Sequence, residues 1–388
     1  MPAIPAVVSN GTPATGGTAV PGGTAGGRGG ARITARGCIA AAALLLVACG
    51  AEPAPIVSED EFAQTRPFLE EQADYYVVDP VLGHVHRPDV QRDIEWPEHA
   101  DGRIVMASDN LGLRRDGPVA EAPAPAGTRR ILISGDSHVD GVVPNSESVA
   151  GRLEAALAEG SGGGVEVLNA GVGYYGPFQY GRLMQRYASL APDVVLVILF
   201  MGNDLLDAAE VLESTTELGR PRDRDYYDRL AGAKRATGAA LSQGLNQIYY
   251  FTRYPEMVGP AVEYTGSRLQ ALATDCEARG AKLVVALLPT KLDVEDGSLG
   301  GLRIAAARSL DLDGGVLSLN RQLTDRLLSR LQAAGIEALD LFDAMRALGK
   351  PLYWNLDHHL STAGHAVVAD LLLERYGAML RATASGAP

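Results

Sequence analysis

Apolar residues fall along the chain in two regimes. From Arg129 onward, short strand-like apolar runs alternate with segments whose apolar residues recur at helical spacing. The series is Ile131–Ser134 then Ser148–Ala158, Val165–Leu168 then Phe178–Leu190, then Val194–Phe200, and later Leu269–Arg279, Leu283–Leu288, Leu319–Ala334, Ala338–Leu341 and Thr362–Tyr376. Such alternation predicts an α/β fold, a parallel sheet with helices on both faces. The runs Ile131-Leu132-Ile133, Val194-Val195-Leu196-Val197-Ile198 and Leu283-Val284-Val285-Ala286-Leu287-Leu288 are continuous, the pattern of strands buried on both faces. From Ala51 to about Gly127 the chain is rich in proline and acids, with short strand candidates at Tyr75–Val78 and Arg103–Ala107 but no sustained helical period. That stretch reads as a linker or accessory extension. Residues 205–266, with an Arg/Asp cluster and the Tyr249-Tyr250-Phe251 group, fit no strand–helix slot and read as a cap or insertion. There is no internal repeat.

The N-terminal end is different in kind. Residues 1–30 are mostly Gly, Ala, Thr, Pro and Val with almost no charge, a composition that buries no core. Arg28, Arg32 and Arg36 follow, then an apolar run from Ile39 to Ala48, the layout of a secretory signal. The run is too short to span a bilayer. Leu46-Val47-Ala48-Cys49 resembles the bacterial lipobox, and the resemblance implies cleavage after Ala48 and a lipid on Cys49. The expectation is an exported lipoprotein anchored to a bacterial membrane at the cell envelope, on its periplasmic or outer face. Because the low-complexity lead precedes the basic region, translation is expected to start downstream of Met1; a precursor mass that includes Met1 would overturn this. The division is therefore 1–48 lead and signal, 49–127 extension, and 128–382 the α/β domain.

With 388 residues, 46% of them hydrophobic, there is ample material for one large core. Removing residues 1–48 takes away three arginines and no acid, so the formal charge moves from −13 to −16. This excludes nucleic acid as a natural partner and disfavours strongly anionic polymers. Of the three cysteines, Cys38 lies in the discarded segment and Cys49 would carry lipid, leaving Cys276 alone in a helical stretch. No intrachain disulfide and no multi-cysteine metal site follow.

In open parallel sheets, functional residues collect beyond the carboxyl ends of the strands. Gly135-Asp136-Ser137-His138 follows the first strand, Met201-Gly202-Asn203-Asp204 follows Val194–Phe200, and Asp357-His358-His359 precedes the last helix. A hydroxyl becomes a useful nucleophile when a base takes its proton, and the base needs an acceptor on its other nitrogen. Ser137, His359 and Asp357 supply those three groups. The oxyanion that forms needs fixed donors, for which the Ser137 amide, the Asn203 side chain and an amide of the 169–174 loop are candidates.

These blocks, in this order, resemble the SGNH/GDSL hydrolase family: Gly135-Asp136-Ser137, the glycine-bearing loop after Asn169, Gly202-Asn203-Asp204, and Asp357/His359 followed by Gly364-His365. The resemblance covers about 129–381 and implies a flavodoxin-like α/β/α sandwich, catalysis by Ser137, His359 and Asp357, and an oxyanion hole of Ser137, Gly173 and Asn203. It implies no metal and no cofactor. Two positions depart from the pattern. The family's acid lies three residues before its histidine, where this chain has Leu356, and Asp357 at two residues is similar to the alginate-type O-acetyltransferase branch. The loop glycine expected five residues after Asn169 is Tyr174, with Gly173 adjacent.

Three functions follow from this: a deacylase of acylated carbohydrates or small esters, an O-acetyltransferase of polysaccharide or cell wall, and a non-catalytic glycan-binding lipoprotein. Several neighbours take plainer readings. His365 is structural, while Asp136 and Asp204 are local hydrogen-bonders. His84-Val85-His86, with no carboxylate or cysteine at ligand spacing, is a solvated loop. Tyr174, Tyr175 and Phe178 are core or rim packing, and Lys291 is a surface lysine.

Overall fold

The computed structural model describes residues 72–381, apart from 160–163, 217, 221, 296 and 298. The expected signal at 1–48 and the lipidated Cys49 lie outside the described residues. Among those described, no helix is long and apolar enough to cross a membrane.

The core is a five-stranded, all-parallel sheet in the order β6-β5-β7-β8-β9. Its strands are β5 (Arg129–Gly135), β6 (Val165–Asn169), β7 (Val194–Phe200), β8 (Lys282–Leu288) and β9 (Ala338–Asp340). This is the flavodoxin-like order, which reverses direction between β5 and β7 and leaves a crevice there at the carboxyl ends. The continuous apolar runs behave as expected. Ile131, Ile133, Leu196, Ile198, Val284 and Ala286 face one hydrophobic cluster, shared with helices Val149–Ala158 and Thr362–Arg381. The alternate residues Leu132, Val195, Val197, Val285 and Leu287 face the other, with helices Val258–Glu277 and Leu319–Ala333. Ser148 caps its helix by accepting from the Gly151 amide, a contact worth about 1 kcal/mol.

Of the two readings of the extension, linker or accessory segment, residues 72–127 take the second: β1 (Tyr76–Asp79) pairs with β2 (Gly83–His86) and β3 (Gln91–Glu95) with β4 (Arg103–Ala107), both antiparallel. Tyr75, Tyr76, Leu82, Ile104, Met106 and Leu113 are buried in one cluster with Leu168, Val172 and Tyr180 of the α/β domain. β1 and β4 fall on the strand candidates at Tyr75–Val78 and Arg103–Ala107, whereas β2, only four residues long with two histidines, and β3, mostly polar and partly exposed, carry no strand pattern. Residues 205–266 form the long crossover between β7 and β8, through helices Asp204–Thr215, Arg224–Thr237, Ser242–Arg253 and Val258–Glu277. The helix Arg224–Thr237 buries only Tyr226, Ala233 and Thr237, too few for a visible apolar stripe. The stretch expected as one helix at Phe178–Leu190 is broken into Pro177–Tyr180, Leu183–Tyr187 and a 3-10 turn at Ala188–Leu190.

Candidate active site

The nucleophile turn begins where β5 ends. A Cβ on Gly135 would stand 2.3 Å from Val139 Cγ2 and 2.6 Å from the Ile198 carbonyl, so only glycine lets the strand leave the sheet this tightly. Asp136 then caps the short helix Ser137–Asp140, its Oδ1 accepting from the His138 amide at 2.9 Å. Ser137 opens that helix, half-buried. Its amide has no acceptor among the described residues. The first amides of a helix are the ones its own ladder leaves free, and they point toward an anion.

His359 reaches the same point from the far end of the chain. Its loop is held on three sides. Tyr353 and Leu360 form an antiparallel bridge, and the Trp354 amide donates to the His359 carbonyl at 3.0 Å. Glu295 Oε1 accepts from the amides of Leu352 (2.7 Å) and Tyr353 (3.0 Å), while Lys291 Nζ donates to the Trp354 carbonyl at 2.8 Å. Lys291, expected on the surface, is buried beside Glu295 at 3.5 Å, where the paired charges anchor the loop. Glu98, from the N-terminal segment, accepts from the amides of Asn355 and Leu356 at 2.7 and 2.8 Å.

Within that loop Asp357 and His359 are brought together, so the two-residue spacing suffices. Asp357 Oδ1 accepts from His359 Nδ1 at 2.5 Å and from the His359 amide at 2.9 Å. Burial alone would lower the His359 pKa, but Asp357, with Asp136 and Asp140 behind it, lifts it above the ordinary histidine value. Burial would likewise raise Asp357, yet His359 and its hydrogen bonds hold the carboxyl far below the usual range. The other ring nitrogen, Nε2, is buried without a partner. The His359 ring stands 5.1 Å, centroid to centroid, from that of His138, the residue after Ser137. No hydrogen bond yet joins Nε2 to the Ser137 hydroxyl, a contact that commonly closes only with substrate bound.

The remaining histidines separate cleanly. His138 is buried, stacked on Phe200 at 3.7 Å, and burial with the neighbouring His359 and His358 pushes it well below the ordinary value. Burial and His359 bring His358 down to about 3. His365 lies in the last helix, its Nδ1 accepting from the Val149 amide at 3.2 Å, the structural role expected of it. Ligand atoms of Asp357, His358 and His359 lie within 4.8 Å of one another, but Asp357 is already committed to His359 Nδ1.

Asn203 closes β7. It stands at the cap position of the next helix without making a side-chain capping bond, and its Oδ1 is buried without a partner. Beneath it Asp204 accepts from the Phe200 amide (2.8 Å) and the Tyr180 hydroxyl (3.1 Å), and burial drives its carboxyl well above the ordinary value. Burial also raises Asp136, to about 6, against the opposing pull of the His138 amide, His359 and Asn203.

The loop after β6 requires a correction. Ala170, Gly171 and Val172 donate their amides to Ile133, Asn169 and Gly135, and the Gly173 amide donates to Asp140 Oδ2 at 3.2 Å. Gly173, expected as an oxyanion donor, has its amide engaged elsewhere. The turn's left-handed residue is Tyr174, with φ of +67°, where the family pattern places glycine. Tyr175 and Phe178 are buried as packing residues, whereas Tyr174 is 40% exposed. His84 and His86 are fully buried, not solvated: His84 Nε2 meets the Gly173 carbonyl at 2.8 Å and His86 Nε2 meets Asp140 Oδ2 at 3.1 Å. No spacing rule marks these contacts, since they join residues 89 and 54 positions apart.

The switch point lies between β5 and β7, whose ends carry Ser137 and Asn203, and the Asp357–His359 pair stands beside the first of these turns, the groups that a serine-dependent acyl-transfer centre requires. Residues 254–386 match the family model described as SGNH hydrolase-like domain, acetyltransferase AlgX. Over that segment, which carries Asp357 and His359, the chain is similar to SGNH hydrolase-like proteins, and it is an enzyme acting on ester bonds by hydrolysis or acyl transfer. No curated protein matches its sequence. Among solved structures it is similar to a catalytic mutant of an acetylxylan esterase from Geobacillus stearothermophilus, at 13% identity over 64% of this chain and 94% of that one, with a TM-score of 0.39. An acetyl xylan esterase matches at 14% identity over 63% and 98%, TM-score 0.39. A G-D-S-L family member from Veillonella parvula matches at 13% identity over 64% and 98%, TM-score 0.36.

Proposed function

We propose that this protein is an envelope lipoprotein that removes acetyl groups from esterified carbohydrate through an acyl-enzyme on Ser137. The observation that carries the reading is the Asp357–His359 pair, whose ring stands 5.1 Å from that of His138, the residue after Ser137, with Nε2 left without a partner among the described residues. His359 takes the Ser137 proton as Oγ bonds to the acyl carbon, and the carbonyl oxygen becomes an oxyanion. The Ser137 amide and the Asn203 side-chain amide donate to it. His359 passes the proton to the leaving sugar oxygen, and the C–O bond breaks. Water, deprotonated by His359, then attacks the acyl carbon and restores Ser137. Cys49, carrying the lipid and made N-terminal by cleavage after Ala48, would hold the enzyme at the membrane, and mass spectrometry of the mature N-terminus tests that part.

A second reading is favoured by the matched family's description as an acetyltransferase and by the two-residue Asp357/His359 spacing. Here a sugar hydroxyl replaces water in the second half. Incubating the enzyme with an acetyl donor, with and without a glycan acceptor, decides between them. Free acetate that no acceptor diminishes supports hydrolysis, while acetylated glycan formed at its expense supports transfer.

Two expectations follow for this site. Asn203→Ala should lower kcat by about 10²–10³-fold with little change in KM, because the lost donor acts mainly on the developing oxyanion. The pH profile should also carry the imprint of Asp357. His359 works as a base only when neutral, and its pKa is raised, so kcat/KM should climb with pH through a value above about 6.5. The stability from the charged pair runs the other way. It is fully present below the unfolded histidine pKa and is lost as pH rises through the folded one. In Asp357→Asn the acid limb of the residual activity should move to lower pH; an unmoved limb would mean that another group controls it.

A further inference from the structure

We propose that His84 and Asp140 act as positioning residues for the 169–174 loop beside Ser137, clamping the Gly173 peptide from both ends and thereby holding Tyr174 in its left-handed conformation. The proposal rests on Ser137 being the nucleophile and concerns how the loop beside it is kept in place.

The geometry is specific. A carbonyl only accepts, so His84 Nε2 carries the proton it donates to the Gly173 oxygen at 2.8 Å. At the other end of the same residue, the Gly173 N–H donates to Asp140 Oδ2 at 3.2 Å. Asp140 lies on the same helical turn as Ser137, so this carboxylate ties the nucleophile's helix to the loop that follows β6. It is itself fixed from two sides, by His86 Nε2 at 3.1 Å and by Arg114 Nη1 at 2.6 Å. Arg114 in turn binds the carbonyls of Asp140, Gly141 and Val143 and the Asn145 side chain. His84, His86, Arg114 and Asp140 are all buried. The Tyr175 hydroxyl donates to the His84 carbonyl at 2.7 Å, and the Tyr76 hydroxyl lies 2.8 Å from where a Gly173 Cβ would be.

Covering apolar surface would need none of this. Buried charged groups are costly unless paired, and here two histidines and an arginine from residues 84–114 converge on one carboxylate and one peptide beside the reacting serine. The residue after that peptide is the one that needs holding. A tyrosine at φ +67° is disfavoured by its Cβ and persists where the surroundings over-determine it. The same N-terminal segment supplies Glu98 to the loop carrying Asp357 and His359, so it braces both walls of the site.

The test uses the full-length protein, 4-nitrophenyl acetate as substrate and fluorophosphonate labelling of Ser137, with thermal melts to confirm folding. His84→Phe removes the donor and should lower kcat by about 10–100-fold with KM nearly unchanged, as expected when the loop packed against the Ser137 helix shifts and misplaces the nucleophile. His84→Gln, which restores an N–H donor, should recover most of the loss. Tyr174→Gly, which adopts positive φ unaided, should shrink the effect of His84→Phe in the double variant. A folded His84→Phe with parental kcat, or the same loss with and without Tyr174→Gly, would overturn the clamp. Should His84→Phe not fold, Asp140→Asn is read by the same criteria in the same two backgrounds. An unlabelled, inactive parent would instead refute the serine mechanism itself, so the two failures are distinguishable.

Discussion

Replacing Ser137 with alanine is expected to lower acetyl-ester turnover by about 10⁴–10⁶-fold and to abolish fluorophosphonate labelling, while leaving the thermal melt almost unchanged. The size follows from what is removed. Without Oγ there is no acyl-enzyme, and the Asp357–His359 pair has no hydroxyl to deprotonate. What survives is the catalysis of positioned donors acting on direct water attack. Stability should barely move because Ser137 is half-buried and no hydrogen bond of its side chain holds the turn, whose tightness depends on Gly135 and the Asp136 cap. A variant that keeps both turnover and labelling would show that the nucleophile lies elsewhere and would leave the whole site assignment without support.

The second large effect is expected at the base. His359→Ala should lower kcat by a factor comparable to the serine variant, because the nucleophile and its base act as a unit and their losses do not add. Asp357→Asn should cost about 10⁴-fold through the tautomer. Asp357 Oδ1 accepts from Nδ1, which leaves the lone pair on Nε2, the nitrogen without a partner among the described residues. An amide nitrogen facing Nδ1 would favour the proton on Nε2, turning the base into a donor. His358→Ala is the comparator. Its ring packs 4.1 Å from that of His359 and has no carboxylate partner, so its removal should leave kcat within a few-fold of the parent. If His358→Ala were the more damaging change, the two adjacent histidines would exchange roles.

Much of this site is legible in the sequence. The strands carrying Ser137 and Asn203 are unbroken apolar runs, and a strand buried on both faces must be one, so their carboxyl ends could be placed to within a residue. Asp357 and His359 could be paired because two residues in one turn share a neighbourhood whatever the rest of the chain does. Gly173 was misread for the opposite reason. Which loop amide faces the hydroxyl depends on where Asp140 and His84 stand, and their partners lie 33 and 89 positions away. Lys291 was misread likewise: a lysine is buried only against a partner such as Glu295 and an acceptor such as the Trp354 carbonyl, 63 positions on.

The α/β class, the strand ends at Ser137 and Asn203, and the Asp357–His359 pair are all written in the sequence, because each rests on residues close together in the chain, through periodicity or turn geometry. Packing of residues 72–127 against the α/β domain, the two buried histidines beside the Gly173 loop, and the helical crossover between β7 and β8 emerge only in three dimensions. Those features rest on contacts between distant segments, where a polar residue is buried because a particular partner meets it. No local pattern of hydrophobic and polar positions records that meeting.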